Sequence, residues 1–226
     1  MQPQTFFAPG RVNIIGEHID YNGGYVLPCV IGMGTYVEIR GRSDGIGRFA
    51  SRNFEQIIEV QLSGLAYNEA HGWANYAKGI VYHLQRAGHK FSGFEVMFSG
   101  DIPNGAGLSS SASVEIAMAV ALTEFFSLGI EMIELVKLAQ RSENEFVGVN
   151  CGIMDMFAIG MGKKDFATAL HCDSLEYEYV PLNLDEYKIV IMDTNKRRKL
   201  NESKYNERRA ECENASEVLK KFLKIN

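Results

Sequence analysis

Residues 101–113 read Asp-Ile-Pro-Asn-Gly-Ala-Gly-Leu-Ser-Ser-Ser-Ala-Ser, and no other run constrains the fold as much. The run follows a short predicted strand, Gly93–Ser99, and leads through serines 109–111 into an apolar helix that reaches about Phe126. Glycines let backbone N–H groups approach an anion closely. The helix start that follows offers unpaired N–H groups and the positive end of its dipole. The three serines add hydroxyl donors, one of which can ligate Mg²⁺. The run therefore reads as a phosphate loop of an unusual kind. There is no G-x-x-x-x-G-K-[ST], and Gly105-Ala-Gly-Leu-Ser-Ser lacks the third glycine of the dinucleotide fingerprint. A glycine pair alone would fit a plain strand–turn–helix with a serine cap equally well. Pro103, both glycines and the serine run together favour the anion site.

The rest of the chain alternates strands and helices. Residues 25–62 read mainly as strands: Thr35–Arg40 alternates, Gln56–Leu62 is rich in Ile and Val, and Gly41–Gly47 is a turn cluster. Trp73–Ala87 has helical spacing and Gly88 stops it. A further helix spans about Ile130–Phe146, with Ile133, Val136, Leu138 and Ala139 inward. Phe166–His171 and Lys188–Met192 read as strands. Lys204–Leu223 reads as a long charged helix with Ala210, Ala215, Val218, Leu219 and Phe222 as its apolar members. The class is α+β. The acidic stretch 172–187, with Pro181, marks a boundary between a domain over 1–180 and the beginning of another over 181–226.

With 226 residues, 46% of them hydrophobic, the chain suffices for one large domain or two small ones. A net charge of −5 leaves no basic footprint for nucleic acid. The apolar run Ile116–Leu122 is too short to cross a membrane, and the N-terminus lacks the basic start and apolar stretch of a signal peptide. Four scattered cysteines without C-x-x-C indicate neither a zinc site nor a disulfide framework. A reduced, cytoplasmic, enzyme-like protein is expected, with a small-molecule partner.

A second polar cluster is Gly10-Arg-Val-Asn-Ile-Ile-Gly-Glu-His-Ile-Asp-Tyr21. A cation, two carboxylates, an imidazole, an amide and two glycines make poor core material. They suit the grip on a small polar molecule.

At this point a resemblance emerges. Pro103–Ser113 resembles the nucleotide-phosphate loop of the GHMP kinases. Gly10–Tyr21, continuing as Asn22-Gly-Gly-Tyr-Val-Leu-Pro28, resembles the galactokinase signature within that superfamily. Cys151-Gly-Ile-Met-Asp155 and, more weakly, Ser203–Cys212 are similar to two further motifs, in the same order. The resemblance implies a GHMP kinase fold: an N-terminal domain like ribosomal protein S5 domain 2, then the start of a ferredoxin-like domain. It implies ATP and Mg²⁺ as cofactors, galactose as substrate and a monomer when full length. The chain lacks the family's third, C-terminal Gly-rich motif and so reads as an N-terminal portion, poorly active alone.

The resemblance also implies roles. Asp155 becomes the general base and Arg11 its partner. Glu17, His18 and Asp20 read the sugar, joined by the backbone of Gly152 and by Tyr205. Gly105, Ala106, Gly107, Leu108, Ser109, Ser110 and Ser111 wrap the phosphates, and Trp73 flanks the adenine. Ser111 and Glu143 hold the metal, Glu145 being one helix step out of register. Related kinases for N-acetylgalactosamine or L-arabinose are rivals, as is a non-catalytic galactose sensor. Sensors have lost a Ser-Ala pair from the phosphate loop, whereas Ser109–Ser113 is intact here.

Overall fold

Alternating residues in 28–41 build the central strand of a mixed sheet. The computed structural model describes residues 2–103, 105–193 and 204–224. In chain order it contains β1 (Gln4–Asn13), β2 (Tyr25–Val26), β3 (Pro28–Gly41), β4 (Ile46–Ser51), β5 (Ile58–Gln61), α1 (Ala74–Arg86) and β6 (Phe94–Gly100). Then come α2 (Ser110–Phe125), α3 (Met132–Arg141), α4 (Met154–Met161), β7 (Phe166–His171), β8 (Tyr177–Pro181) and α5 (Lys204–Leu223). The sheet order is β2-β7-β3-β6-β4-β5, with β1 also on β3 and β8 on β7. All pairs are antiparallel except β4 with β6, which are parallel and joined through β5 and α1.

Val37 and Ile39 of β3 lie beside Phe98 and Val96 of β6, and all four side chains are buried. The period of two sends this row to one face of the sheet, where α2 covers it. Helix α2 packs on β1, β3, α1, α3 and α4. That explains why its sequence is apolar nearly all round: a helix enclosed on every side needs no polar face. The phosphate-loop run thus opens into a largely buried helix.

Five features depart from expectation. β1, β8 and α4 carry structure not anticipated in those segments. β1 contains Pro9 and Gly10, which blur a strand pattern, and the register shifts between Pro9 and Arg11. β8 lies in the acidic stretch, where its alternating Tyr177 and Tyr179 are masked by charge. The helix expected over 130–146 ends at Arg141 and continues as a π turn, Ser142–Val147. Finally, Lys188–Met192 is not a strand. Val190 and Met192 are 76% and 86% exposed, and no strand among the described residues pairs with this segment. Apolar composition alone does not make a strand when no ladder accepts its backbone groups.

Candidate active site

The phosphate loop and β1 meet around one ion pair. The backbone N–H of Arg11 donates to Leu108 O at 3.3 Å, laying the loop on the strand. The Arg11 guanidinium then does two things. Nη1 donates to Gly107 O at 2.7 Å, and Nε and Nη2 both approach Asp155 Oδ1 at 2.7 Å. Asp155 sits in the first turn of α4. Its other oxygen, Oδ2, accepts from Ser109 Oγ at 2.5 Å. The Arg11 side chain is only 12% exposed, so the pair is better shielded from water than an ordinary surface salt bridge. Residues 144 positions apart are therefore joined by charge-assisted bonds, with the phosphate loop as the third party.

The loop itself is held by conformation. Gly105, Gly107 and Ser109 have φ of 78°, 75° and 59°. A Cβ at Gly105 or Gly107 would meet nothing within 4 Å, so the backbone there is open to an approaching ligand. Ser109 precedes α2 in the left-handed conformation and does not cap it; its hydroxyl goes to Asp155 instead.

The 16–24 loop is built differently. A Cβ at Gly16 would lie 2.7 Å from Tyr25 O and 2.9 Å from Val26 Cα. Asn13 Nδ2 donates to Glu17 Oε1 at 2.8 Å. His18 is exposed, with φ of 57°, and Asn22 Nδ2 bonds its carbonyl at 2.9 Å. Asp20 is buried, its carboxylate pressed on the Cα of Gly152. Burial, and then repulsion from Asp155, push the Asp20 carboxyl above the usual range. Gly152 N donates to Tyr205 Oη at 3.4 Å, bringing α5 to the same place. Asn206 and Arg209 clamp α5 on the backbone of 148–150. An open cavity of about 340 Å³, lined in part by Asp20, Tyr21, Cys151, Gly152 and Arg209, adjoins this cluster.

Below the phosphate loop, the π turn rotates Glu143 inward, leaving Glu145 exposed. Glu143 is only 6% exposed. Burial and repulsion from Asp155 push its carboxyl up to about 7, against contacts with Glu115, Ser111 and Cys151 that pull it down. Glu115 of α2, which sequence reasoning missed, is fully buried; burial and the neighbouring Glu143 push its carboxyl well up. Both Glu115 carboxyl oxygens and Ser142 Oγ lack hydrogen-bond geometry to any partner among the described residues, although Glu143 and Ser142 stand close to Glu115. No group of three His, Cys, Asp or Glu among the described residues could hold a metal alone. One carboxylate, one hydroxyl and uncompensated acidic oxygens nearby do fit Mg²⁺, which takes few protein ligands and completes its shell with phosphate and water.

Trp73 stands at the N-terminus of α1. It stacks on Phe54 at 6.0 Å and packs edge-on to Phe98 at 5.5 Å; its buried Nε1 has no partner among the described residues.

Residues 1–41 match the galactokinase galactose-binding signature, and residues 75–163 match the GHMP kinase N-terminal domain. A galactokinase of Bacillus subtilis is 54% identical over 97% of this chain and 57% of its own length. One of Clostridium tetani is 51% identical over 99% of the chain and again 57% of its own length. Galactokinases are thus its homologues over nearly its whole length. The crystal structure of Lactococcus lactis galactokinase complexed with galactose superposes with a TM-score of 0.93 at 46% identity, covering 97% of this chain and 57% of that one. The Methanococcus jannaschii mevalonate kinase, at 20% identity and a TM-score of 0.68, shares the fold. The GHMP kinase fold expected from the motifs is thus the observed one. The chain spans a little over half the length of these relatives.

Proposed function

We propose that the protein acts as a galactokinase, transferring the γ-phosphate of ATP to the C1 hydroxyl of α-D-galactose to give galactose 1-phosphate and ADP. The observation that carries this reading is the double anchoring of Asp155, by Arg11 on one oxygen and Ser109 on the other. One carboxylate is thus held between β1 and the phosphate loop. The homologous enzyme crystallised with galactose supports the choice of sugar.

ATP supplies the phosphoryl group, and Mg²⁺ neutralises charge on its phosphates. The chain's part is alignment and proton handling. Asp155 accepts the C1 hydroxyl proton as its oxygen attacks, and Arg11 places a fixed positive charge beside that oxygen. Glu17, His18 and Asp20, with the Gly152 backbone and Tyr205, read the hydroxyls. Asp20 is the acceptor for the axial C4 hydroxyl; an epimer would leave this buried carboxylate without that partner. Gly105, Ala106, Gly107, Leu108, Ser109 and Ser110 surround the phosphates with open backbone. Ser111 and Glu143 would hold the metal, and the Trp73–Phe54 pair offers the adenine an aromatic surface. Residues 1–180 form the domain carrying both half-sites, and 181–226 begin the next.

The test is calorimetric titration with galactose, glucose, N-acetylgalactosamine and L-arabinose, followed by thermal shift with MgATP. Galactose is expected to bind at least about 10-fold more tightly than glucose, and MgATP to raise the unfolding temperature. Preference for the N-acetyl sugar or arabinose would reject the substrate, and absence of any MgATP shift would reject the kinase.

A further inference from the structure

Three rings meet beside the sugar loop. His18 and Tyr21 both pack on Tyr205 of α5, with centroids 5.9 and 5.5 Å away. Within the loop, the Tyr21 hydroxyl lies 2.8 Å from His18 Nδ1. The backbone of His18 is fixed at its positive φ by Asn22. His18 is exposed and its Nδ1 is engaged by Tyr21, so only Nε2 is left to face a ligand.

Which nitrogen carries the proton decides what His18 can do. Its neighbours Glu17 and Asp20 are, when ionised, acceptors only. A sugar hydroxyl that donates to a carboxylate still has lone pairs to fill, and a donor from the protein fills them. We propose that Tyr21 is a positioning residue: its hydroxyl donates to His18 Nδ1, which holds the imidazole in the Nε2–H form and makes His18 the donor that complements Glu17 and Asp20. The proposal rests on the reading of His18 as a sugar-contacting residue.

Three observations favour this direction of the bond. A phenol O–H is a good donor and a neutral imidazole nitrogen a good acceptor, whereas the other group near the phenol, the Cys212 thiol of α5, accepts only weakly. Burial and the contact with Cys212 push the Tyr21 phenol up to about 12, so its proton is retained at neutral pH. The hydrogen bond made by one ring nitrogen sets the tautomer of the other. Tyr21 also rests edge-on against Tyr205, so the same ring links the tautomer to the docking of α5.

The experiment is nitrogen-15 spectroscopy of labelled histidine in the 226-residue chain, with Tyr21→Phe and Tyr21→Leu alongside. Wild type should show an unprotonated Nδ1 and a protonated Nε2 for His18. Tyr21→Phe keeps the ring contacts and removes only the hydroxyl. It should give a mixture of tautomers and raise the galactose Kd about 10-fold, with the unfolding temperature unchanged. Tyr21→Leu should add a loss of stability. A protonated Nδ1 in wild type, or an unaltered tautomer in Tyr21→Phe, overturns the proposal. If galactose binds neither wild type nor variant, the galactokinase reading fails, while the nitrogen spectrum still decides the role of Tyr21.

Discussion

Two glycine-bearing loops face each other across Asp155, and they use glycine for opposite reasons. In the 16–24 loop the missing Cβ makes room for the protein itself: at Gly16 the backbone of Tyr25 and Val26 occupies that space. In the phosphate loop Gly105 and Gly107 adopt positive φ with nothing nearby, so the space is left for something else. The first loop is packed into a fixed shape. The second is held by its ends, through Arg11 and Ser109, and presents open backbone to an anion. Discrimination demands rigidity, whereas a phosphate chain of uniform charge needs only donors and access.

The largest effect should come from removing the carboxylate that ties Arg11 of β1 to Ser109 of the phosphate loop. Asp155→Ala leaves Arg11 without its carboxylate and Ser109 without its acceptor. Galactose-dependent phosphoryl transfer should fall by about 10³-fold, while galactose binding changes far less. If turnover persisted within a few-fold of wild type, Asp155 would be a structural tie between the loops and nothing more.

Much of this was legible in the sequence. The phosphate loop could be read because Gly, Ser and Pro act locally, through backbone conformation and donor supply. Asp155, Arg11 and the sugar cluster followed from resemblance. The features that escaped are those created by tertiary contact. Residue spacing in 130–146 fits a regular helix, and no residue type announces a π turn; the turn nevertheless directs Glu143 inward and Glu145 out. Glu115 looked like one more polar position of a helix, because nothing local says that α2 is enclosed on every side. The bond from Ser109 to Asp155 replaces an expected helix cap, a choice made by a residue 46 positions away. Lys188–Met192 failed for the complementary reason: it has strand composition and no paired neighbour among the described residues.

The contrast between the loops can be measured directly by adding one methyl group to each. Gly16→Ala meets backbone at 2.7 and 2.9 Å and must also hold a φ of 106°. Overpacking and backbone strain together should cost about 3 kcal/mol in urea unfolding. Gly107→Ala carries only the conformational term, about 1 kcal/mol, because no atom lies in its way. Its larger consequence should be weaker MgATP binding. Equal destabilisation by the two substitutions would erase the distinction between a packed loop and an open one.

The smaller effect lies under the phosphate loop, and pH reveals it. The Glu143 carboxyl is pushed from 4.5 up to about 7, with burial the first cause. Between those two values the folded chain holds a proton that the unfolded chain has released, so stability falls as pH rises. The contribution is fully present below about pH 4.5 and lost through about pH 7. Glu115 shifts in the same direction and adds to the slope. Glu143→Gln should flatten the profile over that window, and the difference between variant and wild-type urea midpoints isolates this one group from the other carboxylates. A cation at Ser111 and Glu143 would favour the ionised form, so Mg²⁺ with nucleotide should restore more stability at pH 8 than at pH 5. A wild-type profile no steeper than that of Glu143→Gln would mean that the acidic pair below the loop is not under strain, and the two sides of the site would then differ in packing alone.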